Sequence, residues 1–222
     1  MSVSPYPSKV CLPQQQGSFA TVLDFLAFKF PAVSEKQWQQ RAVEKKIHWL
    51  SGEVIGLSTA YRAGQWVCYY REVAQEPLIP FAEQIVYHDE EVLIAYKPHF
   101  LPVMPAGDYV NECLQNRLRK STGMDDLVAL HRLDRETAGL VMFSHNPKTR
   151  PLYHDLFASK NIQKYYQAVA SIIDSAVAAP NIGQQWIVKN RLVKSQPSFL
   201  MQLGQGQDNS HTVIKCLDKN AD

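Results

Sequence analysis

The side chains best suited to chemistry crowd into one short stretch. In His131-Arg132-Leu133-Asp134-Arg135-Glu136-Thr137-Ala138-Gly139-Leu140 an aspartate lies between two arginines, and a Thr-Ala-Gly turn feeds the apolar run Leu140-Val141-Met142-Phe143. A carboxylate held at the mouth of a buried strand is rigidly aimed, and guanidinium groups beside it favour its ionised form. Such a group suits a nucleophile or base working next to a polyanion. The plain alternative is a solvated salt-bridge cluster on a β-turn, which contributes little. His131 and Asp134 are three apart and could share a helical face, but Gly139 and the strand after it argue against a helix there. A hydrolase using this pair as acid and base needs a second carboxylate or histidine in fixed register, and the sequence offers none. The seven histidines, His88 and His99 among them, lack the spacing of a metal site, and so do Cys11, Cys68, Cys113 and Cys216; no metal is expected.

The elements that must position this stretch can be traced along the chain. Pro5, Pro7, Pro13 and the run Gln14-Gln15-Gln16 show no periodicity, so residues 1–17 form a loosely ordered lead-in. After Ser18, taken as an N-cap, Phe19, Val22, Leu23, Leu26 and Phe30 fall at helical spacing until Pro31. Ser34 with Gln37 makes a capping box for a second helix through Trp38 and Ala42, whose outer face carries Lys36, Gln39, Gln40, Arg41 and Lys45. Strands at 47–50 and 66–70 follow, separated by turns at Ser51-Gly52 and Ala63-Gly64-Gln65. The proline-bounded connector Glu76-Pro77-Leu78-Ile79-Pro80 marks a domain boundary.

Beyond it the pattern alternates. A strand at 92–96 precedes a helix through Val110, Leu114 and Leu118, whose end carries Arg117, Arg119 and Lys120 where cations favour the dipole. The strand at 140–143 comes next, then a helix opening near Thr149 with Pro151 in its first turn and Tyr153, Leu156 and Phe157 within it. Strands at 166–169 and 212–215 complete the pattern.

The ten residues from His131 to Leu140 resemble the His-Arg-Leu-Asp-Arg-x-Thr-x-Gly-Leu signature of RluA-family RNA pseudouridine synthases, with Ala138 where serine is more usual. Two further stretches resemble the same family. Lys97-Pro98 with Leu101-Pro102-Val103 matches its Lys-Pro turn and Gly-Leu-Pro-Val run, with Phe100 in place of the glycine, and Lys164-x-Tyr166-x-Ala168 matches its Lys-x-Tyr-x-Ala strand. Residues 18–75 loosely resemble the ribosomal-protein-type RNA-binding module that often precedes the family's catalytic domain, through Leu23-Asp24-Phe25-Leu26, the basic second helix and the Gly52 turn.

The resemblance implies an α+β fold, with a mixed, largely antiparallel sheet forming the catalytic domain over 76–222 and a small helix-plus-strand RNA-binding module over 18–75. It implies uridine isomerisation to pseudouridine in rRNA or tRNA, without cofactor or energy source. Asp134 would act on the sugar, as nucleophile at the anomeric carbon or as base at the 2′ position. Tyr166 would stack on the extruded uracil and Arg132 fill the gap it leaves, with Arg135, Lys97, His131 and Lys164 contacting substrate or RNA. The family continues with a Thr-Gly-Arg-x-His-Gln-type strand that does not occur before Asp222, so a chain matching three-quarters of a synthase, weakly active or inactive alone, is the corresponding expectation. A noncatalytic RNA-binding protein with a degenerate synthase domain is the alternative.

Composition bounds the rest. At 222 residues and 45% apolar content the chain can bury a sizeable core. Lys and Arg total 23 against 21 Asp and Glu, so net charge says nothing for or against RNA. No apolar run approaches the roughly 18–20 residues needed to cross a bilayer, and the scattered cysteines suit a reduced compartment, so a cytoplasmic monomer is expected.

Overall fold

The computed structural model describes residues 1–14, 19–171, 179–196 and 200–219. Ser18, the pair Gln15-Gln16 and the terminal Asn220-Ala221-Asp222 lie outside the described residues. Met1–Gln163 form one compact unit and Lys164–Asp222 another. The boundary in compactness therefore falls well after the connector at Glu76-Pro80.

The first unit opens with strands β1 (Ser2–Val3) and β2 (Ser8–Cys11), in the segment whose prolines suggest a loose lead-in. Both are held by partners distant in sequence, which local composition does not reveal. β2 runs antiparallel to a later strand with Val10 opposite Val67, and Leu12 just beyond it is fully buried. Helix α1 (Val22–Lys29) is capped by Thr21: its side chain accepts from the Asp24 amide while Asp24 Oδ2 accepts from the Thr21 amide at 2.8 Å. Phe19 thus precedes the helix and packs its ring 5.6 Å from Phe25. Helix α2 (Glu35–Val43) carries the expected Ser34–Gln37 capping box. Its expected basic face is narrower than the sequence suggests, because Arg41 is buried, lies 5.0 Å over the Trp38 ring and donates to Glu72 at 3.0 Å.

Strands β3 (Ile47–Trp49) and β4 (Trp66–Tyr69) join β2 in the order β2-β4-β3, and β5 (Glu72–Val73) pairs with β1. Gly52, at φ +92°, makes the turn that Ser51-Gly52 predicts. Val22, Phe25, Leu26, Trp38, Ile47 and Val67 form the core beneath these elements.

A second core lies under a four-stranded sheet of order β6-β7-β9-β8, every pairing antiparallel. Its strands are β6 (Gln84–His88), β7 (Val92–Lys97), β8 (Val128–Ala129) and β9 (Gly139–Ser144). Leu93 and Ala95 of β7 and Val141 and Phe143 of β9 point the same way, against Leu114 and Leu118 of helix α3 (Leu114–Thr122). Gly123, at φ +72°, ends α3 in the left-handed conformation that glycine adopts cheaply. Arg117 and Arg119 do more than close this helix. Arg117 is paired with Glu83 and Glu112, and Arg119 donates to the Leu127 carbonyl and lies 4.6 Å over the Tyr6 ring. Helix α4 (Arg150–Ala158) begins after Thr149 with Pro151 in its first turn, as its sequence predicts.

The connector is a fixed strut. Glu76 Oε1 accepts from the amides of Val110, Asn111 and Glu112 at 2.6–2.7 Å. Just before it, Arg71 donates to the Pro105 and Gly107 carbonyls at 2.6 and 3.1 Å. A carboxylate accepting three amides is a strong, charge-assisted arrangement, so the proline-rich stretch is tied at its start despite its linker composition.

In the second unit a long strand β10 (Gln185–Lys194) pairs antiparallel with β11 (Met201–Gly204) and β12 (Ser210–Lys215), in the order β11-β10-β12. The strand expected at 212–215 lies within β12. The one expected at 166–169 does not form: Tyr166 and Val169 are exposed and no ladder among the described residues includes this stretch. Its alternating residues satisfy strand periodicity, but a strand needs a paired edge to stand on. The whole is α+β with antiparallel sheets. Among the described residues no helix is long and apolar enough to cross a membrane.

Candidate active site

The antiparallel register of β7 and β9 brings the two motifs together. Lys97, the last residue of β7, is opposite Gly139, the first of β9. The turn leaving β7 (98–101) and the loop entering β9 (131–138) therefore emerge side by side at one end of the sheet.

Lys97 lies on the inward face with Leu93 and Ala95 and is fully buried. Its ammonium donates to the carbonyls of Pro98 (3.0 Å), Leu101 (2.7 Å) and Arg135 (3.0 Å), so all three protons are used. This corrects the reading of Lys97 as an exposed strand end: its ammonium is directed at these carbonyls. Burial pulls its pKa from 10.5 down to about 8, against the opposing charges of Glu136 and Asp134. The period-two alternation of β7 was a usable sign, since Leu93, Ala95 and Lys97 share one face.

The motif loop is fastened at further points. His131 Nε2 accepts from the Met142 amide at 3.1 Å, and its ring stacks on Phe157 of α4 at 5.0 Å. An imidazole accepting at Nε2 carries its proton on Nδ1, so in this geometry His131 ties the loop to β9. Leu133 is buried against Gly139, whose φ of +142° excludes side chains and where an added Cβ would meet Leu133 Cδ1 at 3.4 Å. The Thr137 amide donates to the Asp134 carbonyl at 3.1 Å, closing the turn. His99 Nδ1 lies 2.6 Å from the Glu136 carbonyl oxygen.

The loop alternates accordingly. His131 and Leu133 face inward; Arg132 and Asp134 face out, their side chains 72% and 82% exposed. Asp134 is paired with Arg132 at 4.0 Å. Arg135 does not flank the carboxylate as its sequence position suggests. It pairs with Glu136 at 2.8 Å and reaches the Tyr109 hydroxyl at 3.4 Å. That pairing pushes the Arg135 pKa up and the Glu136 carboxyl down. The contacts of His99 and Tyr109 left no sign in the sequence, because each depends on a fold-level neighbour.

Lys97, His131, Arg132, Asp134 and Arg135 thus gather at one end of the sheet. Lys164 and Tyr166 belong to the second unit, where both are exposed and outside any strand. Among the described residues no three His, Cys, Asp or Glu side chains gather so as to hold a metal ion. An exposed carboxylate on a loop locked from beneath can meet a large substrate without moving, the arrangement preorganised catalysis requires.

Comparison with known proteins agrees in kind. Residues 91–222 match the family model described as RNA pseudouridylate synthase. An uncharacterized RNA pseudouridine synthase of Synechocystis is 28% identical over 69% of this chain and 52% of its own length. One from Bacillus subtilis is 24% identical over 85% of this chain and 69% of its own. The mitochondrial tRNA pseudouridine(32) synthase of Saccharomyces cerevisiae is 25% identical over 60% of this chain and 29% of its own. The chain thus spans about half the length of the Synechocystis relative and less than a third of the yeast one. With more than half of its residues inside the family model, the chain belongs to the RNA pseudouridylate synthase family.

Proposed function

We propose that the protein isomerises uridine to pseudouridine in structured ribosomal or transfer RNA. The observation that carries this reading is the Asp134 carboxylate, exposed to solvent on a loop whose neighbours Leu133 and Arg135 are tied into the fold. In the reaction the bond from ribose to the uracil nitrogen breaks, the ring turns, a bond to a ring carbon forms, that carbon loses its proton and the freed nitrogen takes one up. Atoms are conserved, so no cofactor is required. Asp134 acts on the sugar, at the anomeric carbon or the 2′ proton, and the base must leave the stack to be reached, at a cost of a few kcal/mol. Arg132, exposed and beside Asp134, occupies the space the base vacates. Arg135 contacts phosphate, Tyr166 stacks on the extruded uracil and Lys164 contacts the RNA. His131 and Lys97 act as positioning residues through the loop. The protein works in the cytoplasm as a monomer.

The test is nucleotide-resolution pseudouridine mapping of rRNA and tRNA incubated with the protein and with Asp134→Asn. Pseudouridine at a defined site, abolished by the substitution while RNA affinity stays within a few-fold, is the expected result. RNA binding without pseudouridine from the wild-type protein would instead favour a noncatalytic binding role.

A further inference from the structure

Three non-glycine residues among those described have positive φ: Lys45, Phe100 and Lys160, at +58°, +66° and +59°. Two have a local reason. Lys45 and Lys160 each stand two residues past a helix, and their amides donate back to Ala42 and Phe157 in the manner of left-handed helix ends. Phe100 is at no helix end: it sits in the turn after β7, where positive φ is costly for an aromatic side chain.

Core packing does not explain why Phe100 is kept. Its side chain is 49% exposed, and so is that of Phe81, whose ring centroid lies 6.3 Å away at an interplanar angle of 36°. Both rings rise from immobilised backbone. The Phe81 carbonyl accepts from Arg117 at 2.8 Å, and that guanidinium is itself fixed by Glu83 and Glu112. Phe100 lies between His99, which reaches the Glu136 carbonyl, and Leu101, whose carbonyl is held by Lys97. The same lysine holds the Arg135 carbonyl, so the turn carrying Phe100 is stitched directly to the loop carrying Asp134. Backbone strain kept in an exposed aromatic beside a reactive loop points to function.

We infer that Phe100 and Phe81 form a stacking platform for an unpaired nucleobase of the RNA, next to the nucleotide presented to Asp134. This rests on the RNA reading of the site. Proteins that hold single-stranded nucleic acid combine fixed aromatic faces with nearby cations, and the exposed guanidinium groups of Arg132 and Arg135 supply the cations here. The platform distinguishes RNA with an unpaired base beside the target from fully paired RNA, and so contributes to site choice.

The experiment is fluorescence anisotropy with a labelled RNA hairpin whose loop is unpaired, against a duplex of equal length, using the full chain. Phe100→Gly relieves the backbone strain, so folded stability should hold or rise while the hairpin dissociation constant rises about tenfold, the order expected for one lost base stack. Phe100→Tyr should retain wild-type affinity. A 2-aminopurine placed in the loop should be quenched on binding the wild-type protein and not Phe100→Gly. Unchanged hairpin affinity in Phe100→Gly overturns the inference; so does wild-type binding of duplex as tight as hairpin, or no binding of either. Should Phe100→Gly fail to fold, Phe81→Ala decides, with wild-type affinity again overturning it. Phe100-dependent binding without pseudouridine formation would defeat the catalytic proposal and leave the platform standing.

Discussion

Replacing Lys97 with methionine keeps the volume of a long unbranched side chain and removes the ammonium that ties together the two loops of the site. Three buried carbonyls, of Pro98, Leu101 and Arg135, would lose their donor. Hydrogen bonds from a charged group are worth about 1.5–3 kcal/mol each, so the gross loss is about 5–9 kcal/mol. Against this, the lysine bears a burial penalty. Its pKa falls from 10.5 to about 8, and at 1.36 kcal/mol per unit the penalty removed is about 3 kcal/mol. The net destabilisation is about 2–6 kcal/mol, a fall in Tm of roughly 4–24 °C for a unit of this size. The pH dependence carries a second signature. Because the folded pKa lies below the unfolded one, the unfolded chain holds the extra proton between about pH 8 and 10.5, and wild-type stability gains with pH across that window. Lys97→Met should lack this gain. Calorimetric melts of both proteins from pH 7 to 10 read both effects. A methionine variant as stable as wild type at pH 7, or one keeping the full alkaline gain, would refute the reasoning.

Gly139→Ala should cost about 1–3 kcal/mol, because the residue's positive φ leaves a side chain strained; urea unfolding measures it, and an unchanged midpoint counts against the reasoning. Glu76→Ala leaves three amides without their acceptor, and hydrogen exchange at Val110, Asn111 and Glu112 should accelerate at least tenfold relative to wild type. Cys113, fully buried with its thiol pushed up to about 12, should react with a thiol reagent only as the protein unfolds, whereas exposed Cys11 reacts at once. If RNA binds through the arginines of the site, affinity should fall steeply as salt rises, since each neutralised phosphate releases counterions; a flat response would speak against phosphate contact.

Much of the framework was legible because its determinants are local. The Ser34–Gln37 box, the Ser51-Gly52 turn, Pro151 in the first turn of α4 and the apolar run of β9 each specify their element within a few residues. The motif around Asp134 was legible as a string, and Gly139 explains part of it. What escaped depends on residues far apart in sequence. β1 and β2 exist because β5 and β4 offer them edges; Glu76 is anchored by amides more than thirty residues away; Arg41 and Arg135 choose Glu72 and Glu136 over solvent or Asp134. The stretch at 166–169 shows the converse, a strand-like alternation that pairs with nothing among the described residues.

The pairing of Lys97 with Gly139 also sets what the gene can tolerate. Side chains alternate faces along a strand, so adding or deleting one codon within β7 would exchange Lys97 for Tyr96 on the inner face and cast the ammonium into solvent, and the same change within β9 would turn Val141 and Phe143 out of the core. The loops could be intact in sequence and still come apart. Length variation between homologues should therefore be absent from these two strands and free to accumulate in outlying turns, a pattern of insertions that marks the anchoring of the site as plainly as the identity of Asp134.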